Sequence, residues 1–217
     1  MSGLYPPFNY QDNGKLVGFD VEIGYALAEK MGMEPKPVTN PWQTILAALK
    51  ADKFDAILGS MAITEERLKE VNFSDPYYKS GAQVFVHADN GEIQSVNDLH
   101  GKKIGVVVAS TFEDIAREYT EEVTTYDSDV TALQDLLVKG RLDAVITEQL
   151  VGMYAINQND LAIKTVGDPL YIDQMGIAIK KEQTELLEKV NAALAEIIAD
   201  GTYAEISEKY FGENIYD

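Results

Sequence analysis

Two stretches of this chain echo each other, and the echo limits the folds open to it. Residues 45–60 read ILAALKADKFDAILGS and residues 133–148 read LQDLLVKGRLDAVITE. Each runs through an amphipathic helix, a polar break, a basic residue, an apolar residue and an aspartate into a short apolar strand. Asp55 and Asp143 hold the same place in the two copies, 88 residues apart. Helices alternating with short β-prone runs predict parallel sheets covered by helices. In such sheets ligands bind in the crevice outside the carboxyl ends of the strands. Those ends carry Gly59 and Ser60 in one copy, Thr147 and Glu148 in the other. Two lobes presenting strand ends to one cleft is the simplest reading; a chance echo of a common helix–turn–strand unit is the competing one.

A chain of 217 residues can bury a core either as one large α/β domain or as two small lobes. The net charge of −18 argues against nucleic acid and against anionic membrane surfaces, since both need a basic face. It is otherwise a solvated, soluble exterior. The absence of cysteine removes disulfides, thiolate catalysis, iron–sulfur clusters and the usual zinc sites. No run approaches the length needed to span a bilayer. Met1-Ser2-Gly3-Leu4 has neither the basic region nor the apolar stretch of a signal peptide, so the chain is expected to be cytoplasmic or a processed form.

Along the chain, Tyr5-Pro6-Pro7-Phe8 is stiff and extended, and Asp12-Asn13-Gly14-Lys15 turns a hairpin. Asp20 is expected to cap a helix that buries Ile23, Ala26 and Leu27. A strand is expected at Pro37-Val38-Thr39, and a helix from Asn40-Pro41 with proline in its favoured first position. Ala56 to Leu58 form the echoed strand, and Thr64-Glu65-Glu66-Arg67 start a helix with acids in its first turn. The second lobe opens with a strand from Lys103 to Val108 and a helix from about Phe112. Ser128 caps the echoed helix and Gly140 stops it. A long last helix buries Leu186, Val190, Leu194 and Ile197. Strand-like crossings near 82–86 and 175–179 would act as the hinge.

Arg67 is the sharpest site candidate. It lies on the first turns of a helix whose free N–H groups favour anions, and a guanidinium can grip a carboxylate through two parallel hydrogen bonds. A surface pairing with Glu65, Glu66 or Glu70 is the alternative. Ser110 and Thr111, at a second strand-to-helix turn, offer either an anion cradle or plain helix capping. Glu148 could meet a ligand ammonium or a lysine. Tyr5 and Trp42 could wall an apolar cavity, although a lone tryptophan near a helix start is often core. His87 and His100 lie in loop-like polar surroundings, away from any candidate nucleophile. Metal-ligand spacing and nucleotide-binding glycine motifs are absent, so no cofactor and no metal are expected.

Three runs carry a resemblance: Gly18-Phe19-Asp20-Val21-Glu22, Ser60-Met61-Ala62-Ile63-Thr64-Glu65-Glu66-Arg67 and Val71-Asn72-Phe73-Ser74-Asp75-Pro76-Tyr77-Tyr78. Together they resemble the polar amino-acid solute-binding proteins (family 3) of ABC importers, and the likeness extends through Gly101-Lys102-Lys103-Ile104-Gly105-Val106 and Gly176-Ile177-Ala178. The resemblance implies an α/β, two-lobe periplasmic-binding-protein-like fold of type II. Each lobe would be a mixed sheet flanked by helices, with residues 1–83 and 177–217 in lobe 1 and 84–176 in lobe 2. It implies a periplasmic or extracellular, non-catalytic protein that closes on an amino acid and hands it to the permease subunits. By position, Arg67 would hold the α-carboxylate with help from the Ser110 and Thr111 backbone, and Glu148 the α-ammonium. Tyr5 and Trp42 would flank the side chain, with Gly59, Ser60, Met61 and Ala62 lining the floor.

Three departures from the family pattern matter. The family has a central strand ahead of the Tyr-Pro-Pro-Phe run, and only four residues precede Tyr5, so its neighbours should lie unpaired; a strand-exchanged oligomer is one way to compensate. Ala62 replaces a hydroxyl residue. Glu148 is one methylene longer than the usual aspartate. Val107, Val108 and Phe112 offer no counter-charge to a ligand side chain, which favours a neutral or apolar amino acid over arginine or lysine. An enzyme on the same scaffold, similar to the cyclohexadienyl dehydratases, is the alternative; it needs a general acid, for which Glu148 is the one obvious candidate. A sensory domain and a chain that binds nothing complete the alternatives.

Overall fold

The computed structural model describes residues 1–216, and of Asn159 the backbone alone. In chain order the strands are β1 (Leu4–Tyr5), β2 (Asn9–Asp12), β3 (Lys15–Val17), β4 (Ala56–Ala62), β5 (Val71–Phe73), β6 (Tyr78–His87), β7 (Ile104–Val107), β8 (Val123–Tyr126), β9 (Ala144–Glu148), β10 (Ile163–Val166) and β11 (Ile172–Lys180). The helices are α1 (Phe19–Lys30), α2 (Ile45–Lys50), α3 (Glu65–Glu70), α4 (Thr111–Tyr119), α5 (Asp129–Leu136), α6 (Gln149–Asn159), α7 (Thr184–Ala199) and α8 (Thr202–Phe211). They form two compact units: Met1–Gly3, Pro7–Lys79 and Asp173–Asp217 in the first, Leu4–Pro6 and Ser80–Ile172 in the second. The long passages of the chain between units thus fall at the start of β6 and the start of β11.

In the first unit β11 pairs antiparallel with β4 on one side (Ala178 opposite Ile57) and with β5 on the other (Ala178 opposite Phe73). One face of this sheet buries Ile45, Leu49, Ile57, Met61, Val71 and Ala178 under α2. A separate aromatic cluster ties the hairpin of β2 and β3 to the helices. Phe19 packs edge-on to Phe8, Tyr203 and Phe211 and stacks on Tyr77, with ring centroids 5.3–6.2 Å apart. Truncating so buried a ring costs about 3–5 kcal/mol. Tyr203 adds direction, its hydroxyl donating to the Tyr77 carbonyl at 2.5 Å. Gly18, φ 124°, starts α1 where a Cβ would fall 2.3 Å from the Phe8 carbonyl oxygen, so only glycine fits there.

The second unit holds the parallel pairs that the echo predicts. β7 lies parallel to β9 (Ile104 opposite Ala144) and to β8 (Val107 opposite Tyr126). β6 then adds antiparallel to β9, and β10 antiparallel to β6. Apolar clusters cover the sheet through Val106, Phe112 and Ile146 on one side and Phe85, Leu133 and Val145 on the other. All four residues of β7 are buried, as expected of a strand with helices on both faces.

Four local expectations give way. Residues 33–41 carry no regular structure, so the strand at Pro37-Val38-Thr39 does not form. Pro35 and Pro37 lack N–H donors, and β4 stands at the edge of its sheet with no strand between it and this segment. Pro41 precedes a 3₁₀ turn (Trp42–Thr44), and α2 begins only at Ile45. Asp20 lies inside α1, fully buried, while Gly18 holds the cap position. The echoed helix α5 ends at Leu136, ahead of Gly140, which sits at φ 82° in the following turn. Ser128 does cap α5, its hydroxyl accepting from Val130 N at 3.2 Å.

Candidate functional site

In the first unit the later part of β4 pairs irregularly with β11, and the expected floor lies there. Gly59, Ser60, Met61 and Ala62 are all buried, and Ser60 adopts φ 55°, a left-handed conformation costly for a residue with a Cβ. A buried network holds that strain. The Asp20 carboxylate accepts from the Tyr77 hydroxyl (2.7 Å), Asn9 Nδ2 (2.7 Å) and Ser60 Oγ (3.1 Å). Ser60 N donates in turn to the Tyr77 oxygen at 2.8 Å. Burial pushes the Asp20 carboxyl up and the three hydrogen bonds pull it back, while burial pushes the Tyr77 phenol well up. Ser60 therefore spends its hydroxyl on Asp20, and a ligand at this floor would meet backbone.

Arg67 follows on α3, two residues past the start of a helix capped by Thr64, whose hydroxyl accepts from Arg67 N at 3.2 Å. Its Nη1 donates to the Ala62 carbonyl at 2.9 Å, and its guanidinium carbon lies 5.7 Å from the centroid of the Trp42 ring. The carbonyl and the ring fix the half-buried guanidinium against the end of β4. Trp42 is half-buried rather than core, packed beside the α2 cluster. Arg67, Trp42 and the end of β4 thus belong to one neighbourhood. Asp173, at the beginning of β11, joins them. Next to it, the Gln174 carbonyl accepts from Ile63 N at 2.9 Å. Asp173 Oδ2 is buried without a hydrogen-bond partner among the described residues; desolvation raises its carboxyl and the Arg67 charge lowers it.

The second unit carries the other candidates. Ser110 caps α4: its hydroxyl accepts from Glu113 N (3.3 Å) and donates to the Val107 carbonyl (2.7 Å). Thr111 is the first residue of the helix, and Ala109 just before it has φ 57°. The capping reading accounts for the Ser110 hydroxyl, so an anion here would be met by backbone N–H groups. Glu148 closes β9 and caps α6, accepting from Val151 N at 2.9 Å and from the Ser80 hydroxyl. It is fully buried, and desolvation raises it to about 7, with the nearby Asp129 adding to the shift. Asp129, held by the Thr147 hydroxyl at 2.5 Å, is raised by burial to about 6. Tyr5, in β1, belongs to this unit, where the Leu4 carbonyl accepts from Ser128 Oγ at 3.1 Å.

Asn9, Tyr77, Ser80 and Asp173 are the residues that sequence reasoning missed as supports. Asp20 and Tyr77 stood in the quoted motif runs, so a signal existed. Asn9 and Ser80 carry none, because their roles arise from contacts 11 and 68 residues away in sequence. Among the described residues no group of three or more histidines or carboxylates is placed to hold a metal ion. No helix among the described residues is long and apolar enough to cross a membrane. His87 ends β6 and accepts from Asp89 N at 3.1 Å, and the His100 ring bonds the Tyr119 carbonyl, both in exposed positions.

Known proteins match this arrangement across the whole chain. An L-cystine-binding protein of Escherichia coli K12 is 37% identical over 219 residues, covering 99% of this chain and 82% of its own length. An L-arginine-binding protein of Pseudomonas aeruginosa is 39% identical over 235 residues, covering 100% of this chain and 88% of its own. Among solved structures, an ancestral arginine-binding protein bound to glutamine superposes with TM-score 0.90 at 41% identity, covering 98% of this chain and 96% of that one. An ancestral amino-acid-binding protein, described as a precursor of cyclohexadienyl dehydratase, superposes with TM-score 0.89 at 36% identity, covering 97% and 92%. The fold is the two-lobe, type II periplasmic-binding-protein fold. The profile of the bacterial extracellular solute-binding proteins, family 3, matches residues 1–213, and the chain belongs to that family.

Proposed function

We propose that the chain binds a free amino acid through residues of both units and delivers it to the membrane subunits of an ABC permease, from a periplasmic or extracellular location. The observation that carries this reading is the setting of Arg67. A guanidinium braced by the Ala62 carbonyl and the Trp42 ring is pre-oriented, so it loses little freedom on gripping a carboxylate. Glu148 would take the ammonium, paired with Ser110 and Thr111 backbone for the carboxylate. Tyr5 and Trp42 would flank the side chain over the floor of Gly59, Ser60, Met61 and Ala62. The unpartnered oxygen of Asp173 adds an acceptor near Arg67 that a ligand donor could satisfy. Residues 82–86 and 175–179 serve as the hinge of this reading.

Thermal unfolding with each standard amino acid and cystine tests it, since a ligand that binds only the folded state raises the midpoint. A shift confined to one or a few amino acids, and lost in Arg67→Ala, is the expected result. No shift with any of them sinks the reading.

One observation favours a second reading. A buried carboxyl raised to about 7, as at Glu148, is the acid a dehydratase needs near neutral pH. Incubation with prephenate or arogenate separates the two: the binding reading expects no product, whereas product formation lost in Glu148→Gln would establish an enzyme.

A further inference from the structure

We propose that Asp173 is a specificity-determining residue of the amino-acid site, and that it selects a ligand whose side chain ends in a cation. This rests on the binding reading above and names the class of its ligand. Asp173 Oδ2 is buried and has no hydrogen-bond partner among the described residues. A carboxylate oxygen withdrawn from water is costly unless a donor meets it. An acceptor left open in a folded chain therefore points to a donor that comes from outside.

The strands hold this acceptor beside Arg67. Met175 of β11 lies opposite Ala62 of β4, and the Gln174 carbonyl accepts from Ile63 N at 2.9 Å. The same register carries Asp173 alongside Thr64, the residue that caps the helix of Arg67. The Met175 carbonyl accepts in turn from Tyr77 N at 2.9 Å. The backbone just after Asp173 is thus bonded to two separate segments, and a strand rather than a loose loop presents the carboxyl. Arg67 is the cation whose charge acts on Asp173, yet its Nη1 goes to the Ala62 carbonyl and its guanidinium to the Trp42 ring. The result is a braced cation near a braced anion that still has an open oxygen.

With a ligand carboxylate on Arg67 and its α-ammonium on Glu148, the donor left for Asp173 is on the ligand's side chain. Val107, Val108 and Phe112 of the second unit bring no charge to that side chain, which by themselves favours a neutral ligand. Asp173 reverses the preference from the first unit. A guanidinium or ammonium meets a desolvated carboxylate through a charge-assisted hydrogen bond, about twice as strong as a neutral one. An amide donates but leaves the charge uncompensated, and an apolar side chain leaves the oxygen unpaired. A site built on such an oxygen rejects ligands that lack the donor more sharply than an apolar pocket rejects them by size.

Calorimetry on the full chain compares two pairs of ligands matched in shape, L-arginine with L-citrulline and L-lysine with L-norleucine. The cationic member of at least one pair should bind about tenfold more tightly than its neutral counterpart. Asp173→Asn keeps the shape and removes the charge. It should weaken that cationic ligand by about tenfold and leave the neutral one within about twofold. Thermal unfolding of the free variant should show a midpoint unchanged or raised, because an unpaired acid has been removed. A variant that weakens both members equally, or whose midpoint falls by several degrees, makes Asp173 a structural residue and overturns the proposal. So does a neutral ligand that binds as tightly as its cationic counterpart, a result that leaves the binding reading intact. Absence of binding by every amino acid overturns the binding reading itself, and this inference with it.

Discussion

The two echoed units part company at one strand. In the second unit β9 has neighbours on both edges, β7 parallel and β6 antiparallel. In the first, β4 has β11 on one edge and a groove on the other. The aspartates show the consequence. Asp143 N and Oδ2 bond the Lys103 carbonyl and N–H at 2.8 and 2.9 Å, knitting the echo's turn to the entry of β7. Asp55, in the same sequence setting, is exposed at the groove mouth. A helix–turn–strand pattern therefore dictates its local form, while the stability of that form depends on which strands arrive beside it.

Hydrogen exchange puts that comparison at greatest risk. The β4 amides that do not pair with β11 should exchange about a thousandfold faster than those of β9, because edge groups open locally and central ones need wider unfolding. Equal protection would show that the open edge is closed in solution. Binding sharpens the comparison next. Arg67→Ala should weaken the amino acid by about a hundredfold or more, the usual loss for a charge-assisted pair, whereas Ser110→Ala should cost only a few-fold because that hydroxyl is occupied by capping. Comparable losses measured by calorimetry would move the carboxylate grip to the second unit.

A third test is the pH profile. Glu148, raised by burial to about 7 from 4.5, binds a proton more tightly in the folded state than in the unfolded one. Its contribution to stability of the free protein therefore falls as pH rises through that window. A ligand ammonium needs the ionised form, so affinity should rise about 20-fold between pH 5.5 and 7.5 by the same linkage. Glu148→Gln should flatten the profile; a profile that stays steep in the variant assigns the proton elsewhere. The smallest contrast lies in the paired aspartates. Asp143→Ala should destabilise the chain by about 1–2 kcal/mol, and Asp55→Ala by less than about 0.5 kcal/mol, as denaturant midpoints can decide.

Much of the fold was legible because periodicity and caps are local. The echoed strands, the helix start at Thr64, the capping readings of Ser110 and Ser128, and Val190, Leu194 and Ile197 of the α7 stripe appear where the pattern puts them, while Leu186 is only half-buried. The misreadings share a cause. Asp20 has the look of a cap, but Asn9, Ser60 and Tyr77 draw it into the core, contacts that no window of sequence contains. Pro37-Val38-Thr39 has the look of a strand, but a strand needs a neighbour to accept its hydrogen bonds.

By itself the sequence determined the two α/β repeats, the acidic exterior without cysteine, and an arginine set at a helix start beyond a strand end. These follow from side-chain period, composition and backbone preference, all properties of neighbours along the chain. Only the tertiary structure decided that Arg67 leans on Trp42, that Glu148 is sealed beside Asp129, and that β4 faces a groove. Those depend on how far each group is withdrawn from water and what meets it there, and burial is a property of the assembled chain.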